Sequence, residues 1–341
     1  LEYELKLLSD QLSVRPGVMF RTVSYEDQTE TFLKGSKTLS NTGIFVRADY
    51  KPIDKLRIIG AIRGEQYNHP DDMYFSYQLA TTYKFDENNI VRAVASRANK
   101  GPGIVETYNE LQVPLGFMNI VYSGNEDLDL MTMDMYEFGF RSQPTDNLQY
   151  DIETFFNIAN NFSYYATSDS STFTPPAGPT NSYISAGNLE VEAYQTGVTF
   201  KVKYFVNENF EISPYITQQT TSLNNVNEKL NDSESDSLIN VDNQWTPSYY
   251  GGVYINYRWN KLNVNLNPYF YGEQKFMYGS SAYYQDEIPA RFLLNATVSY
   301  KVYEQNEVYV SARNLFAGEK RQFAFADPIK PVFMGGVRIR F

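Results

Sequence analysis

Along most of this chain apolar and polar residues alternate with a period of two, and the alternating runs are joined by connections that are short and long in strict turn. A period of two puts one residue set on each face of an extended strand. In residues 148–157, Leu148, Tyr150, Ile152, Thr154 and Phe156 share one face, and Gln149, Asp151, Glu153 and Asn157 share the other. In residues 292–302, Phe292, Leu294, Ala296, Val298, Tyr300 and Val302 oppose Asn295, Thr297, Ser299 and Lys301. The chain closes the same way, with Phe333, Gly335, Val337, Ile339 and Phe341 against Met334, Gly336, Arg338 and Arg340. About 14–15 such runs are present, the first of them residues 1–7.

The connections carry more information than any single run. Short turns such as 144–147 and 207–209 hold Pro, Asp and Asn, residues that favour reversal. Between them lie polar segments such as 99–132, 158–190 and 219–244; residues 24–41 read the same way, with too little apolar content to pack. One rim is therefore tight and the other elaborate, as in outer-membrane barrels. A soluble propeller or sandwich, the competing fold, seldom keeps such alternation over fifteen strands.

No run of about 18 apolar residues occurs, so no helix is expected to cross a membrane. A barrel strand needs only about 9–11 alternating residues. The 29 Tyr and 23 Phe, against two Trp, suit the aromatic belts of membrane interfaces. We therefore expect an all-β, antiparallel transmembrane β-barrel with its apolar face toward lipid and its Arg and Asn toward a wet lumen. The first and last runs both point toward the tight rim, so closing them on each other would make a parallel pair. An even antiparallel barrel cannot close that way, so either this is one of the rare odd-stranded barrels or an odd number of strands is missing upstream; we expect the latter, a partial barrel over residues 1–341.

Function classes narrow quickly. A net charge of −11 argues against a nucleic-acid partner. Cysteine is absent, which removes disulfides and thiolate sites. His69 is the single histidine and sits at a loop tip beside Asp71 and Asp72, a structural loop rather than a catalytic base, so no enzyme is expected. Asp232, Glu234 and Asp236, or Glu126, Asp127 and Asp129, offer oxygen to Ca²⁺ but lack EF-hand spacing; solvated charge without a cofactor is the reading. Tyr164, Tyr165, Tyr183, Tyr249 and Tyr250 lie near the loop rim, where they would stack on sugar rings or chelates, or anchor the interface. Arg141 and Arg258 point inward, toward an anionic ligand, a carboxylate such as Glu137, or a plug.

Four short motifs agree in order and spacing with one family. Residues 94–108, where Arg97 precedes Pro102, Glu106 and Tyr108, resemble a recurring stretch of TonB-dependent outer-membrane receptors. Gly124, Asn125 and Leu128, followed by Tyr136, Glu137 and Gly139, look like that family's Gly-Asn-x-x-Leu element and its next strand. Asn314, Leu315 and Phe316 are similar to its penultimate strand, and Val337, Ile339 and Phe341 resemble the C-terminal signal for barrel assembly. Asn99, Lys100 and Gly101 depart from the more usual aromatic and small residues before Pro102.

The resemblance implies a 22-stranded barrel in a Gram-negative outer membrane, filled by an N-terminal plug that is absent from this chain. It further implies energised uptake of a siderophore chelate, cobalamin or glycan, with outer-membrane lipid, the TonB complex and a surface-exposed lipoprotein as partners. A passive or structural barrel subunit that binds a partner protein is the alternative.

Overall fold

The alternation is realised as a 16-stranded antiparallel sheet in the computed structural model, which describes residues 1–116, 118–167, 180–227, 238–277, 284–303, 306–318, 321–324 and 326–339. The wall starts with β1 (Leu5–Leu7), β2 (Leu12–Glu26), β3 (Ser36–Ile53), β4 (Leu56–Tyr67), β5 (Met73–Lys84) and β6 (Asn89–Lys100). A long connection then holds helix α1 (Ile104–Tyr108) and strands β7 (Gln112–Pro114) and β8 (Met118–Ser123). β9 (Met131–Thr145) and β10 (Leu148–Asn160) resume the wall, β11 (Phe162–Thr167) and β12 (Thr180–Leu189) leave it, and β13 (Glu192–Asn207) and β14 (Phe210–Asn227) return to it. β15 (Leu238–Asn243) pairs with the upper end of β14. β16 (Tyr249–Trp259) and β17 (Leu262–Tyr271) follow, then a small hairpin, β18 (Gln274–Met277) with β19 (Tyr284–Ile288). β20 (Arg291–Tyr303), β21 (Asn306–Leu315) and β22 (Val332–Arg338) complete the sheet.

With the loop elements set aside, every wall strand pairs with its neighbours in sequence. β1 and β22 are the two edges, they run in the same direction, and among the described residues no pairing joins them. Connections of two to four residues alternate with connections that run from five residues (68–72) to thirty-one (161–191), so the two rims differ as expected.

Exposure is inverted relative to a water-soluble sandwich. Ile44 (67%), Val298 (42%) and Val337 (65%) stand exposed on one face, whereas Glu65 (4%), Thr217 (2%) and Asn256 (7%) are buried on the other. That is the distribution of a wall with lipid outside and a polar lumen inside. Val264 is half-buried and Ile339 exposed, so the aliphatic residues do not converge on a dry centre.

The structure departs from the sequence reading at the elaborate rim. Residues 24–41 form strand at both ends, to Glu26 and from Ser36, because a strand that projects beyond lipid needs a paired backbone but no apolar face. The polar connections also carry α1 and seven short strands, whose mixed faces gave no clean alternation. Of residues 1–7, only Leu5–Leu7 form a strand, with a single bridge from Glu2 to Gly17 before it. Asp232, Glu234 and Asp236, like Arg340 and Phe341 of the terminal signal, lie outside the described residues.

Fully buried apolar side chains, among the described residues, sit at the long-loop rim: Leu33, Leu128, Leu130 and Ile288. Leu293, at the loop-rim end of β20, and Ala317 join Ile288 in burial, and Val191 and Ala186 join the earlier group. A conventional core is thus built by the loops, on top of a wall that has none of its own.

Val298 and Thr297 are neighbours near the middle of β20 and face opposite ways, so they test the inversion directly. In the full-length protein, Val298→Lys should cost about 2–4 kcal/mol, the penalty for a charge on the lipid face at mid-depth. Thr297→Lys should be nearly neutral. Urea unfolding midpoints in lipid vesicles read both.

Candidate functional site

The inner wall is organised in rows that cross the strands. Register places Arg57, Thr82, Arg92, Gly139, Glu153, Thr199, Thr217, Tyr250, Tyr271 and Arg291 successively opposite one another. Within this row Arg92 reaches across β9 to the carboxylate of Glu153. It can do so because Gly139 lies between them: a Cβ there would stand 2.7 Å from Arg92 Nε.

Several other inward arginines are likewise neutralised on the wall. Arg57 Nε donates to Asp49 (2.9 Å), Arg63 pairs with Glu65, Arg141 Nε donates to Asp151 (2.6 Å) and Arg338 pairs with Glu307. Glu65 also accepts from Asn41 Nδ2 at 2.6 Å, and Asp151 from Gln149 Nε2 at 2.9 Å. The pairs open to water, such as Arg141 with Asp151, contribute about 0.2–1 kcal/mol each. Their effect is to hold side chains in place along a hydrophilic surface. A cleft of about 210 Å³ lies against this surface, lined by Thr82, Arg92, Gly139, Arg141, Asp151 and Glu153 among others. Higher on the wall, Asn157 Nδ2 donates to Gln195 (3.0 Å), Thr199 and Thr217 share a hydrogen bond (2.9 Å), and Gln219 Nε2 donates to the carbonyl of Pro247 (3.0 Å).

The motif residues serve the rim. The N–H of Gly103 donates to Glu106 Oε2 at 2.6 Å, which satisfies a donor that the start of α1 leaves free. Glu106 Oε1 accepts from Ser163 of β11 (2.5 Å), and the carbonyl of Glu106 accepts from Asn125 N (3.0 Å). Gly124 packs so closely on the end of α1 that a Cβ would meet Thr107 O and Asn109 N at 2.5 Å. Asn125 Nδ2 donates to the carbonyl of Ala186 on β12 at 3.2 Å. Pro102 leads into the helix, and Tyr108 OH donates to the carbonyl of Thr38 on β3 at 2.9 Å. Together these contacts seat α1 and a four-stranded sheet, ordered β11-β12-β8-β7, on the wall.

Arg97 is bound by Asp134 through two hydrogen bonds of 2.8 and 2.6 Å, on the outward face in register with Tyr77. Glu137 shares the inward parity of Gly139 but is not the partner of Arg141, whose carboxylate is Asp151. Asn314, next to last in β21, has a positive φ of 55°, which Asn tolerates, and its N–H donates to Asn295 Oδ1 at 3.0 Å. Leu315 pairs with Leu294, and the Phe316 ring lies 6.2 Å from that of Phe292. Val337 pairs with Val308 and faces outward, as does Ile339 by strand parity.

The candidate ligand residues do not form one site. Tyr165 is committed to the platform: its OH donates to the carbonyl of Val105 at 2.9 Å. Tyr164 and Tyr183 fall on the opposite face of the loop sheet by register, beside Asn181, whose Nδ2 donates to Tyr183 OH at 3.3 Å. Tyr249 and Tyr250 are split between faces: Tyr249 is exposed on the outward side, while Tyr250 looks inward and stacks 6.2 Å from Tyr271. Arg141 and Arg258 lie inward near the short-turn rim, at the far end of the wall from all five tyrosines. The sequence reading did not single out Arg92, Glu153 or Arg291. Shared parity around Gly139 was the available signal for the first two; for Arg291 there was none.

His69 Nδ1 is 3.4 Å from Glu126 Oε2, its ring 5.3 Å from that of Tyr108, a contact between loops. Among the described residues no three His, Asp or Glu side chains gather as metal ligands; Asp129 accepts instead from Tyr74 OH at 3.0 Å. Burial pushes the phenols of Tyr108 and Tyr165 above their ordinary range. Asp27, which accepts from Phe32, Thr29 and Leu33, is held well below the usual carboxylate range by those hydrogen bonds, that from the Phe32 N–H foremost.

Residues 7–315 match the family model described as TonB dependent receptor-like, beta-barrel. Among solved structures, the siderophore receptor PirA from Acinetobacter baumannii is similar, with a TM-score of 0.70 at 16% identity over 93% of this chain and 49% of that one. A mutant of the ferric enterobactin receptor PfeA from Pseudomonas aeruginosa gives 0.74 at 15% identity over 96% and 50%. The copper transporter OprC gives 0.63 at 14% identity over 92% and 50%. The chain therefore spans about half the length of these structures, and at such identities the likeness is one of fold. No curated protein matches the sequence.

Gly124→Ala in the full-length protein should unseat α1 and expose residues 101–130 to limited proteolysis, with the wall still resistant. The Asp27 contact has a depressed folded pKa, so its contribution is present above the ordinary carboxylate value of about 3.9 and is lost only as pH falls through the lowered one. Amide protection of Phe32 and Leu33 should therefore persist at about pH 4 and erode well below it, whereas Asp27→Asn should lose it at neutral pH.

Proposed function

The chain belongs to the TonB-dependent receptor-like β-barrel family, a family of receptors and transporters rather than enzymes, and on that premise we propose that it is the C-terminal part of an outer-membrane transporter barrel. In a Gram-negative cell this barrel takes up a scarce ligand, a siderophore chelate before cobalamin or a glycan, with energy delivered through TonB to a plug carried by another part of the protein. The observation that carries the reading is a hydrophilic inner wall on which several arginines, Arg57, Arg92, Arg141 and Arg338 among them, are paired with carboxylates in place, beneath a packed crown of loops. A bare aqueous pore would not need such a crown. A gated receptor does, because its loops select the ligand that the lumen then passes.

The named ligands of similar structures, ferric enterobactin for PfeA and copper for OprC, support a metal-bearing cargo. A surface-exposed lipoprotein remains a proposed partner at the loop rim. The competing reading is a passive barrel subunit that binds a partner and transports nothing.

In iron-limited cells, uptake of iron-55 supplied as a panel of ferric siderophores should fall at least tenfold on deleting this protein, and equally on inactivating TonB. Uptake that persists without TonB would sink the energised reading, and uptake unaffected by the deletion would favour the passive one.

A further inference from the structure

Arg291 is the one buried arginine among the described residues of the wall. It opens β20 at the loop rim and faces the lumen, opposite Tyr271 in the row that runs back through Tyr250 and Thr217. Only 9% of it is exposed. Its Nη2 donates to Gln274 Oε1 at 2.8 Å and to the carbonyl of Gln322 at 3.4 Å, and its guanidinium lies 4.8 Å from the centre of the Tyr271 ring. Among the described residues its buried Nε and Nη1 have no hydrogen-bond partner, and neither has buried Nε2 of Gln322.

No carboxylate among the described residues meets this guanidinium. In the adjoining hairpin, Asp286 is held by Arg321 through both oxygens, and Glu273 by Lys275 at 2.8 Å. A buried cation without a counter-ion is among the most costly groups a protein can keep. Among the described residues, two donors of the guanidinium and one of Gln322, whose backbone carbonyl accepts from Arg291, are left without an acceptor. The planar guanidinium, fixed at one end by Gln274 and stacked on Tyr271, is matched in geometry to a carboxylate or phosphate.

We propose that Arg291, with Gln322, is an oxyanion-binding site at the lumen mouth, which takes a carboxylate or phosphate group of the ligand entering the barrel; this rests on the uptake reading above. The paired arginines lower on the wall are already neutralised and offer such a group less. Arg291 is thus the point at which an anionic ligand is first fixed, and Gln322 and Tyr271 set its orientation.

The test is binding of citrate and of inorganic phosphate to the purified full-length protein in detergent, by titration calorimetry. It is paired with the fluorescence component lost in Trp245→Phe, because the Trp245 carbonyl accepts from Gln274 at 2.7 Å. Saturable binding of either anion is expected, weakened at least tenfold by Arg291→Gln, severalfold by Arg291→Lys, which keeps the charge and loses the fork, and by Gln322→Leu. Equal affinity in wild type and Arg291→Gln would overturn the proposal. So would a lowered melting temperature in Arg291→Gln with no anion response in either protein, which would mean that a carboxylate elsewhere in the full-length chain meets Arg291. The readout needs neither TonB nor transport, so failed uptake with intact binding would count against the uptake reading and leave this site standing.

Discussion

Lipid offers a strand no hydrogen-bonding partner, and this constraint governs the architecture described above. Each N–H and C=O at membrane depth must find its mate in a neighbouring strand, so an unbroken ladder is the condition for everything else. Pairing between sequence neighbours, with two- to four-residue connections at one rim, meets it at the smallest cost in loop closure. Side chains are then released from core-building. Those that point out, such as Ile44, Phe138 and Val337, are spent on lipid, and those that point in can be charged.

Cohesion is consequently divided. The wall is held by backbone pairing and by inward ion pairs that individually contribute little, whereas apolar burial is concentrated at Leu33, Leu128, Leu130 and Ile288 above it. α1 is joined to the wall by the contact of Tyr108 with Thr38, and the loop sheet to the lead-in of β9 by that of Asn188 with Asp129. The crown is therefore a packed body in its own right, seated on a scaffold of different physical character.

How much was legible in the sequence follows from the same division. Strand number, order and facing could be read because lipid imposes a strict period of two, as in residues 148–157, and the rim asymmetry followed from connection lengths. The crown was not legible: Thr180–Leu189 and Met118–Ser123 pair in parallel and face a mixed environment, so no period marks them. The proposed ligand residues fared according to scale. Parity separated the inward arginines correctly from lipid, but depth along a strand has no local signature, and Arg141 and Arg258 fell at the rim opposite the tyrosines. Adjacent Tyr249 and Tyr250 point to opposite faces, as strand geometry requires.

One contact has a bearing on how the wall is put together. Arg92 spans β9 only where a residue without a side chain passes beneath it, and Gly139 is that residue. Were β9 to slip by two places, a shift that keeps every side chain on its own face, Glu137 or Arg141 would come under the guanidinium. The first would intercept the cation and strand Glu153; the second would repel it. Hydrophobic facing cannot tell such a slip from the native pairing, so the bare position acts as a key that admits one alignment of three strands and rejects its nearest counterfeits.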